Sequence, residues 1–283
     1  MRSDFKDPNK VVVAGKAGMN DDPHHGHLDV GHFVVYWQND YFIQDKGKEG
    51  GYDEKFFDDA RWEYPHASSE GHNVVFVNGE KQIPGKLRKQ PYNYEIGGKV
   101  LDFNSSEKRD YVLMDPTNAY PKKELKGWRR HIILEKPEIT VVLDEIKANP
   151  GSKIEVRFHP GVEFEVKNDF VLLENDKGKM ALIPVTMQDF NLVQGKHAMQ
   201  YINATKDFYW IPYVDTELKT EEEKTIVATV ILPVTNADEA RSISASKQMN
   251  QDKSGNMTLS FKRKGSNYSF VFNSTGEGLK FEK

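Results

Sequence analysis

Apolar and polar residues alternate with a period of two along most of the chain, the spacing that lines one face of a β-strand. Short runs of this kind fall at residues 11–14, 33–37, 41–44, 73–77, 111–114, 131–134, 140–144, 154–158, 170–174, 181–184, 208–213 and 225–232, separated by Gly, Pro, Asn and Asp clusters. Asn78-Gly79 stands between the run ending at Val77 and residues 81–83. An Asn-Gly pair between two such runs predicts a hairpin closed by a type I′ turn. Helical spacing is confined to residues 53–60 and 237–242. No repeat of fixed period and no low-complexity segment is present. Many short strands with frequent turns predict an all-β fold, a large antiparallel β-sandwich of two stacked sheets, rather than βαβ units. The alternation pauses over residues 233–240 and resumes at 257–262, 268–272 and 279–281. Residues 1–235 are therefore expected to form the main sandwich and residues 236–283 a small C-terminal β-element. That element is either a sheet of its own or the last strands of the sandwich.

Length and composition narrow the function classes. A chain of 283 residues can bury a sizeable core. Its 39 Lys and Arg nearly balance 43 Asp and Glu, for a net charge of −4. No bulk positive field draws it to nucleic acid or to an anionic membrane. There are no cysteines, so disulfides and thiolate ligands are excluded and any metal must be held by His, Asp or Glu. The start, MRSDFKDPNK, has no apolar core of a signal peptide, and no run of about 18 apolar residues is present to span a bilayer.

The candidate chemistry lies near the start. Of nine histidines, six precede residue 73: His24, His25, His27, His32, His66 and His72. In His25-Gly26-His27-Leu28-Asp29, an extended backbone puts His25, His27 and Asp29 on one face. Asp45, at the end of an apolar run and before Lys46-Gly47, is a turn residue or a ligand. His72, at the mouth of the run that starts with Asn73, is a hydrogen-bonded core histidine or a ligand.

Together these segments resemble the heparinase II/III-like polysaccharide lyases, a family that includes heparin, heparan, alginate and oligoalginate lyases. The family's motif His-x-His-x-Asp-x-Gly-x-Phe appears as His25-Gly26-His27-Leu28-Asp29-Val30-Gly31-His32-Phe33. Its Asp-x-Gly strand end appears as Asp45-Lys46-Gly47, its tyrosine as Tyr64, and its Gly-His-Asn element as Gly71-His72-Asn73 before a Val-rich strand and Asn78-Gly79. Trp128-Arg129-Arg130-His131 and Val141-Val142-Leu143-Asp144-Glu145 resemble the next two strands. The resemblance implies one zinc, structural or site-shaping, on His27, Asp45 and His72. It implies His25 as a proton-moving group in the active site, Tyr64 as an acid or base, and Asp29 as a carboxylate that orients a neighbouring imidazole. Arg61, Arg129 and Arg130 are candidate binders of carboxylate or sulfate, or ordinary strand residues. His32 departs from the small residue usual at its position, and His24 adds an imidazole beside His25.

The implied substrate is an acidic, uronate-containing polysaccharide or oligosaccharide, and the implied location is the periplasm or outside the cell. Two other readings stay open. A cupin-like metalloenzyme also uses a His-x-His pair, but it wants a Glu four or five residues past the second His, and Gly31 and His32 stand there instead. A non-catalytic carbohydrate-binding or structural domain would use the abundant Tyr, Trp and Phe to stack on sugars. Family members carry an N-terminal helical (α/α) toroid that supplies further catalytic groups. With that toroid absent here, on this chain or supplied by another, the chain alone is expected to turn over uronate polymers little or not at all.

Overall fold

The computed structural model describes residues 1–7, 9–21, 25–46, 57, 59–85, 93–200 and 208–282. They form β1 (Val12–Gly15), β2 (Phe33–Trp37), β3 (Asp40–Ile43), β4 (Val75–Val77), β5 (Lys99–Ser105), β6 (Arg109–Asp115), β7 (Leu125–Glu135), β8 (Ile139–Ala148), β9 (Lys153–Phe158), β10 (Glu163–Val166), β11 (Val171–Asn175), β12 (Gly178–Thr186), β13 (Asn191–Gln200), β14 (Phe208–Lys219), β15 (Lys224–Val234), the helix α1 (Ala237–Ser246), and β16 (Gln248–Gln251), β17 (Met257–Arg263), β18 (Ser266–Thr275) and β19 (Gly278–Phe281).

An eight-stranded antiparallel sheet, ordered β10-β11-β12-β15-β8-β7-β6-β5, is the centre of the fold. One face packs against the sheets β13-β14-β9-β4 and β1-β2-β3, the other against β16-β17-β18-β19 and α1. Side-chain alternation sorts the two cores. In β8, Val142 and Ile146 enter the first core, while Val141 and Leu143 enter the second. In β15, Val227 and Ile231 face one way, and Ala228, Val230 and Leu232 the other. A strand buried on both faces needs apolar residues at nearly every position, so β15 reads as a continuous apolar run. The architecture is the predicted antiparallel sandwich with a small C-terminal sheet.

Four strands without a predicted counterpart are β5, β10, β13 and β16, and each lies at the edge of its sheet. An edge strand pairs on one side only and buries little. In β5, Val100, Leu101 and Phe103 stay exposed, so hydrophobic alternation marks no face. The hairpin at Asn78-Gly79 is half realised. Both residues have positive φ, 54° and 76°, as a type I′ turn requires, but pairing stops at the Val77–Glu80 bridge. Residues 81–83 are drawn elsewhere: the Ile83 N–H donates to Ala119 O, and the buried Gln82 side chain bonds both backbone groups of Val30. Of the predicted helical segment 53–60, residues 53–56 and 58 lie outside the described residues, and a 3-10 turn covers Asp59–Glu63. The later helical segment is α1, capped by Asn236 Oδ1, which accepts from the N–H groups of Asp238 and Glu239 at 3.1 and 3.0 Å.

Two polar hubs pin the N-terminal region to the central sheet. Arg130 on β7 is fully buried opposite Asp144 on β8. Its Nε and Nη2 donate to the two Asp144 oxygens at 2.7 and 3.0 Å, and its Nη1 donates to Gly31 O at 2.9 Å and Asn73 O at 2.5 Å. Trp128 Nε1 adds a donor to Asp144 at 2.8 Å. The second hub, Asn73, donates to Phe33 O and Gln44 O and accepts from the His159 N–H. Arg130 was a candidate substrate binder. It is instead an internal tie, with its donors committed to protein acceptors.

Arg130→Leu would leave Asp144 buried without its cation and two carbonyls without a donor. The expected loss is about 3–5 kcal/mol, read from the urea midpoint. Arg129→Leu should cost less than about 1 kcal/mol, since Arg129 is partly exposed and its contact with Glu277 is 3.9 Å. A second prediction concerns His131, buried where Phe272 and Phe281 of the C-terminal sheet pack against it and Tyr111. Burial, with help from the charges of Arg129 and Lys224, lowers its pKa from 6.5 to about 3. The native state then refuses a proton that the unfolded chain accepts, so this stability is whole above pH 6.5 and is lost as pH falls towards 3. Between neutrality and about pH 4, wild type should lose on the order of 3 kcal/mol more than His131→Gln. Equal losses in paired denaturant titrations would refute this.

Candidate metal centre

The His25–His32 segment is a loop rather than the strand its alternation suggested, because its backbone groups bond to three different neighbours. The Leu28 N–H donates to Ala67 O at 2.8 Å, the Val30 N–H to Gln82 Oε1 at 3.0 Å, and the Gly31 N–H to Lys16 O at 2.8 Å. Gly31 makes the turn possible. Its φ is +87°, and a Cβ there would fall 2.6 Å from the Trp128 ring. The turn aims His27 inward and buries His32 ahead of β2. Asp45 follows β3. His72 caps the C-terminal end of a short 3-10 turn, Ser69–Gly71, and Asn73 follows it.

These segments bring imidazoles into a chain of close rings. Centroids lie 5.7 Å apart for Tyr64–His66, 6.1 Å for His66–His27, 5.2 Å for His27–His72 and 5.3 Å for His72–His32. Asp45 sits between two of them, with Oδ1 3.2 Å from His72 Nδ1 and Oδ2 3.5 Å from His32 Nε2. His72 is completely buried, and neither ring nitrogen has a hydrogen bond of good geometry. A buried polar group in that state calls for an explanation, and a ligand is one.

Among the described residues, two sets of ligand atoms at this cluster lie within 4.8 Å of one another, His27, Asp29 and His72, and His32, Asp45 and His72; a third, Glu155, Asp215 and Glu217, lies on β9 and β14. Asp29 is already engaged, since both its oxygens accept from Lys16 Nζ at 2.7 and 2.8 Å. His32 Nδ1 accepts from the Asn73 N–H at 2.9 Å. His72 is common to both sets, and among the described residues no set joins His27 to Asp45; the two imidazoles and the carboxylate that the family resemblance implies, His27, His72 and Asp45, are chemically sensible donors for zinc, with room for a fourth ligand. The Asp45 side chain is 37% exposed and opens the cluster to solvent.

The charges fit a cation. Burial, reinforced by the charge of His72, lowers His27 to about 4. Burial does the same to His32, also to about 4, against the opposing pull of Asp45. His72 goes the other way: burial lowers it, but contact with Asp45 and the charge of that carboxylate raise it overall. Burial raises Asp45, and its contact with His72 and the three imidazole charges hold it well below the usual carboxylate range. Asp45 therefore favours positive charge on His72, while burial disfavours it on His27 and His32.

The other predicted residues are placed as follows. His25 is exposed at the mouth of the loop, its ring edge-on to Phe57 at 6.3 Å. Tyr64 is half-buried against Met199, Tyr209 and Ile211. Arg61 is buried, its guanidinium 5.3 Å from the Trp62 ring centroid. Arg129 lines a surface cavity of about 290 Å³ with Lys99, Lys126 and Lys147. His24 and Gly47 lie outside the described residues. Sequence reasoning gave no role to His66 or His159. His159 Nδ1 donates to Pro212 O at 2.8 Å. Its signal is only that it ends a strand, since the contact with Asn73 spans 86 residues.

The fold has close counterparts among solved structures. A heparinase III superposes with a TM-score of 0.67 at 16% identity, over 92% of this chain and 39% of that one. The heparan sulfate lyase HepC from Pedobacter heparinus superposes at 0.71 and 14% identity, over 96% of this chain and 40% of that one. At such identities the likeness shows the fold alone, and the chain spans about two fifths of the length of these proteins. No curated protein matches the sequence. The family description "Heparinase II/III-like, C-terminal" matches residues 9–269, nearly the whole chain, and the chain belongs to that family.

Proposed function

We propose that this chain is the β-sandwich portion of a polysaccharide lyase that cleaves uronate-containing glycans, heparan- or alginate-like, by β-elimination, with zinc on His27, Asp45 and His72. The observation that carries the reading is the convergence of these side chains at one partly open cluster around a buried, poorly hydrogen-bonded His72. The family membership supports the reaction class. Similarity to a heparinase III and a heparan sulfate lyase supports an acidic polysaccharide as substrate.

When bound, zinc supplies a fixed positive charge that shapes the wall of the site and favours a uronate carboxylate nearby. His27 and His72 hold it through ring lone pairs, and Asp45 through a carboxylate oxygen. His25, exposed at the loop mouth, takes the proton from the carbon next to the sugar carboxylate. Those C–H electrons form the new carbon–carbon double bond as the bond to the glycosidic oxygen breaks. Tyr64, beside His66, gives that oxygen its proton. An N-terminal helical toroid, on the same or another chain, completes the acid–base set. Such polymers are met in the periplasm or outside the cell.

The purified chain should carry about one zinc by elemental analysis, and His72→Ala should carry none. Removal by chelator should lower the melting temperature, and added zinc should restore it, since a ligand that binds only the folded state stabilises it. A metal-free chain with an unchanged melt on zinc addition would sink the reading. In the lyase assembled with its toroid, His25→Ala and Tyr64→Phe should each lower turnover by about 10²–10⁴-fold with zinc retained. The assay is the ultraviolet absorbance of the unsaturated uronate product. Full turnover by His25→Ala would remove it from the catalytic set.

A further inference from the structure

We propose that His32 is a positioning residue of the metal site: its ring, locked by Asn73, presents the Nε2 proton to Asp45 and keeps that carboxylate turned towards His72, and it is not itself a ligand. The inference rests on the reading of His27, Asp45 and His72 as the metal ligands.

Distance alone would make His32 a ligand. Its ligand atom lies within 4.8 Å of those of Asp45 and His72, and its side chain is buried. Hydrogen bonding decides otherwise. His32 Nδ1 lies 2.9 Å from the backbone nitrogen of Asn73. A backbone N–H can only donate, so Nδ1 carries the lone pair and the proton of the neutral ring sits on Nε2. That N–H meets Asp45 Oδ2 in a 3.5 Å ion-pair contact that falls short of hydrogen-bond geometry, and Asp45 Oδ1 lies 3.2 Å from His72 Nδ1. For Nε2 to bind a metal, the proton would have to move to Nδ1, where it would meet the Asn73 N–H head-on. Asn73 cannot turn away, because its side chain is tied to Phe33, Gln44 and the His159 N–H, and its carbonyl to Arg130. The His32 ring is locked as a donor by the same residue that follows the ligand His72. An imidazole or carboxylate that orients a metal-bound group is the usual neighbour of a metal site, and its loss weakens the metal without abolishing it.

The test uses the whole chain. With nitrogen-15-labelled histidine and no metal, two-bond nitrogen–proton correlations should place the His32 proton on Nε2. Zinc affinity, measured by competition with a chromophoric chelator, should fall about 10–100-fold in His32→Leu. It should largely return in His32→Gln, whose amide accepts from Asn73 and donates to Asp45. A thermal melt of each variant confirms folding, and the tautomer measurement on wild type needs no variant. A proton on Nδ1 overturns the proposal. So does wild-type affinity in folded His32→Leu, or a loss as complete as that of His72→Ala, which would make His32 a ligand. A wild-type chain that binds no zinc overturns the metal reading itself, and this inference with it. A failure confined to the His32 variants leaves that reading standing.

Discussion

The buried Arg130–Asp144 pair is the constraint on which the site depends. A guanidinium without solvent exposure is tolerable only when its donors are met by acceptors of good geometry. Two go to Asp144 on the adjacent strand. The others reach Gly31 O and Asn73 O, which belong to the loop that carries His27 and to the segment that carries His72. One side chain therefore fixes the distance between two parts of the chain separated by more than forty residues. Rings of Trp128 and Phe33, 4.8 and 5.2 Å from the cation, close off water and strengthen the pair. The histidine cluster stands on this internal polar knot rather than on the regular sheet.

The loop around Gly31 follows from the same packing. Trp128 must cover the Arg130–Asp144 pair, and its ring occupies the space that a side chain at position 31 would need. The chain answers with glycine at positive φ, and the sharp turn sends His27 and His32 to the same cluster. A strand would have spread alternate residues along one face, with the pair farther from His72. Gln82 stabilises the turn by bonding both backbone groups of Val30, at the expense of the return strand that the Asn78-Gly79 turn seemed to begin.

What could be read in the sequence divides along physical lines. Central strands buried on one or both faces were legible, because burial forces apolar residues into a period of two or an unbroken run. Edge strands such as β5 and β13 were not, because a strand that pairs on one side and faces water leaves no such mark. The cluster around His72 was legible as a motif, in the spacing of His27, Asp45 and His72. The roles of Arg130 and His32 were not. An arginine on a strand looks the same whether it meets solvent or Asp144, and only the Asn73 N–H distinguishes His32 as a donor from His32 as a ligand.

The charge balance at the cluster narrows what could complete it. Lys16 neutralises Asp29, which leaves Asp45 as the carboxylate beside the imidazoles. Burial keeps His27 and His32 uncharged down to about pH 4, while contact with Asp45 raises His72. The cluster is built to take a positive centre and to resist protons on the flanking rings. A dication on the proposed ligands, with both imidazoles neutral, would exceed the charge of Asp45 by one. The excess faces the side where Asp45 is 37% exposed. A neutral sugar would gain little from that field, whereas a uronate carboxylate would balance it in a setting where partial burial keeps the attraction from being screened. The proposed metal site would therefore favour an acidic glycan over a neutral one.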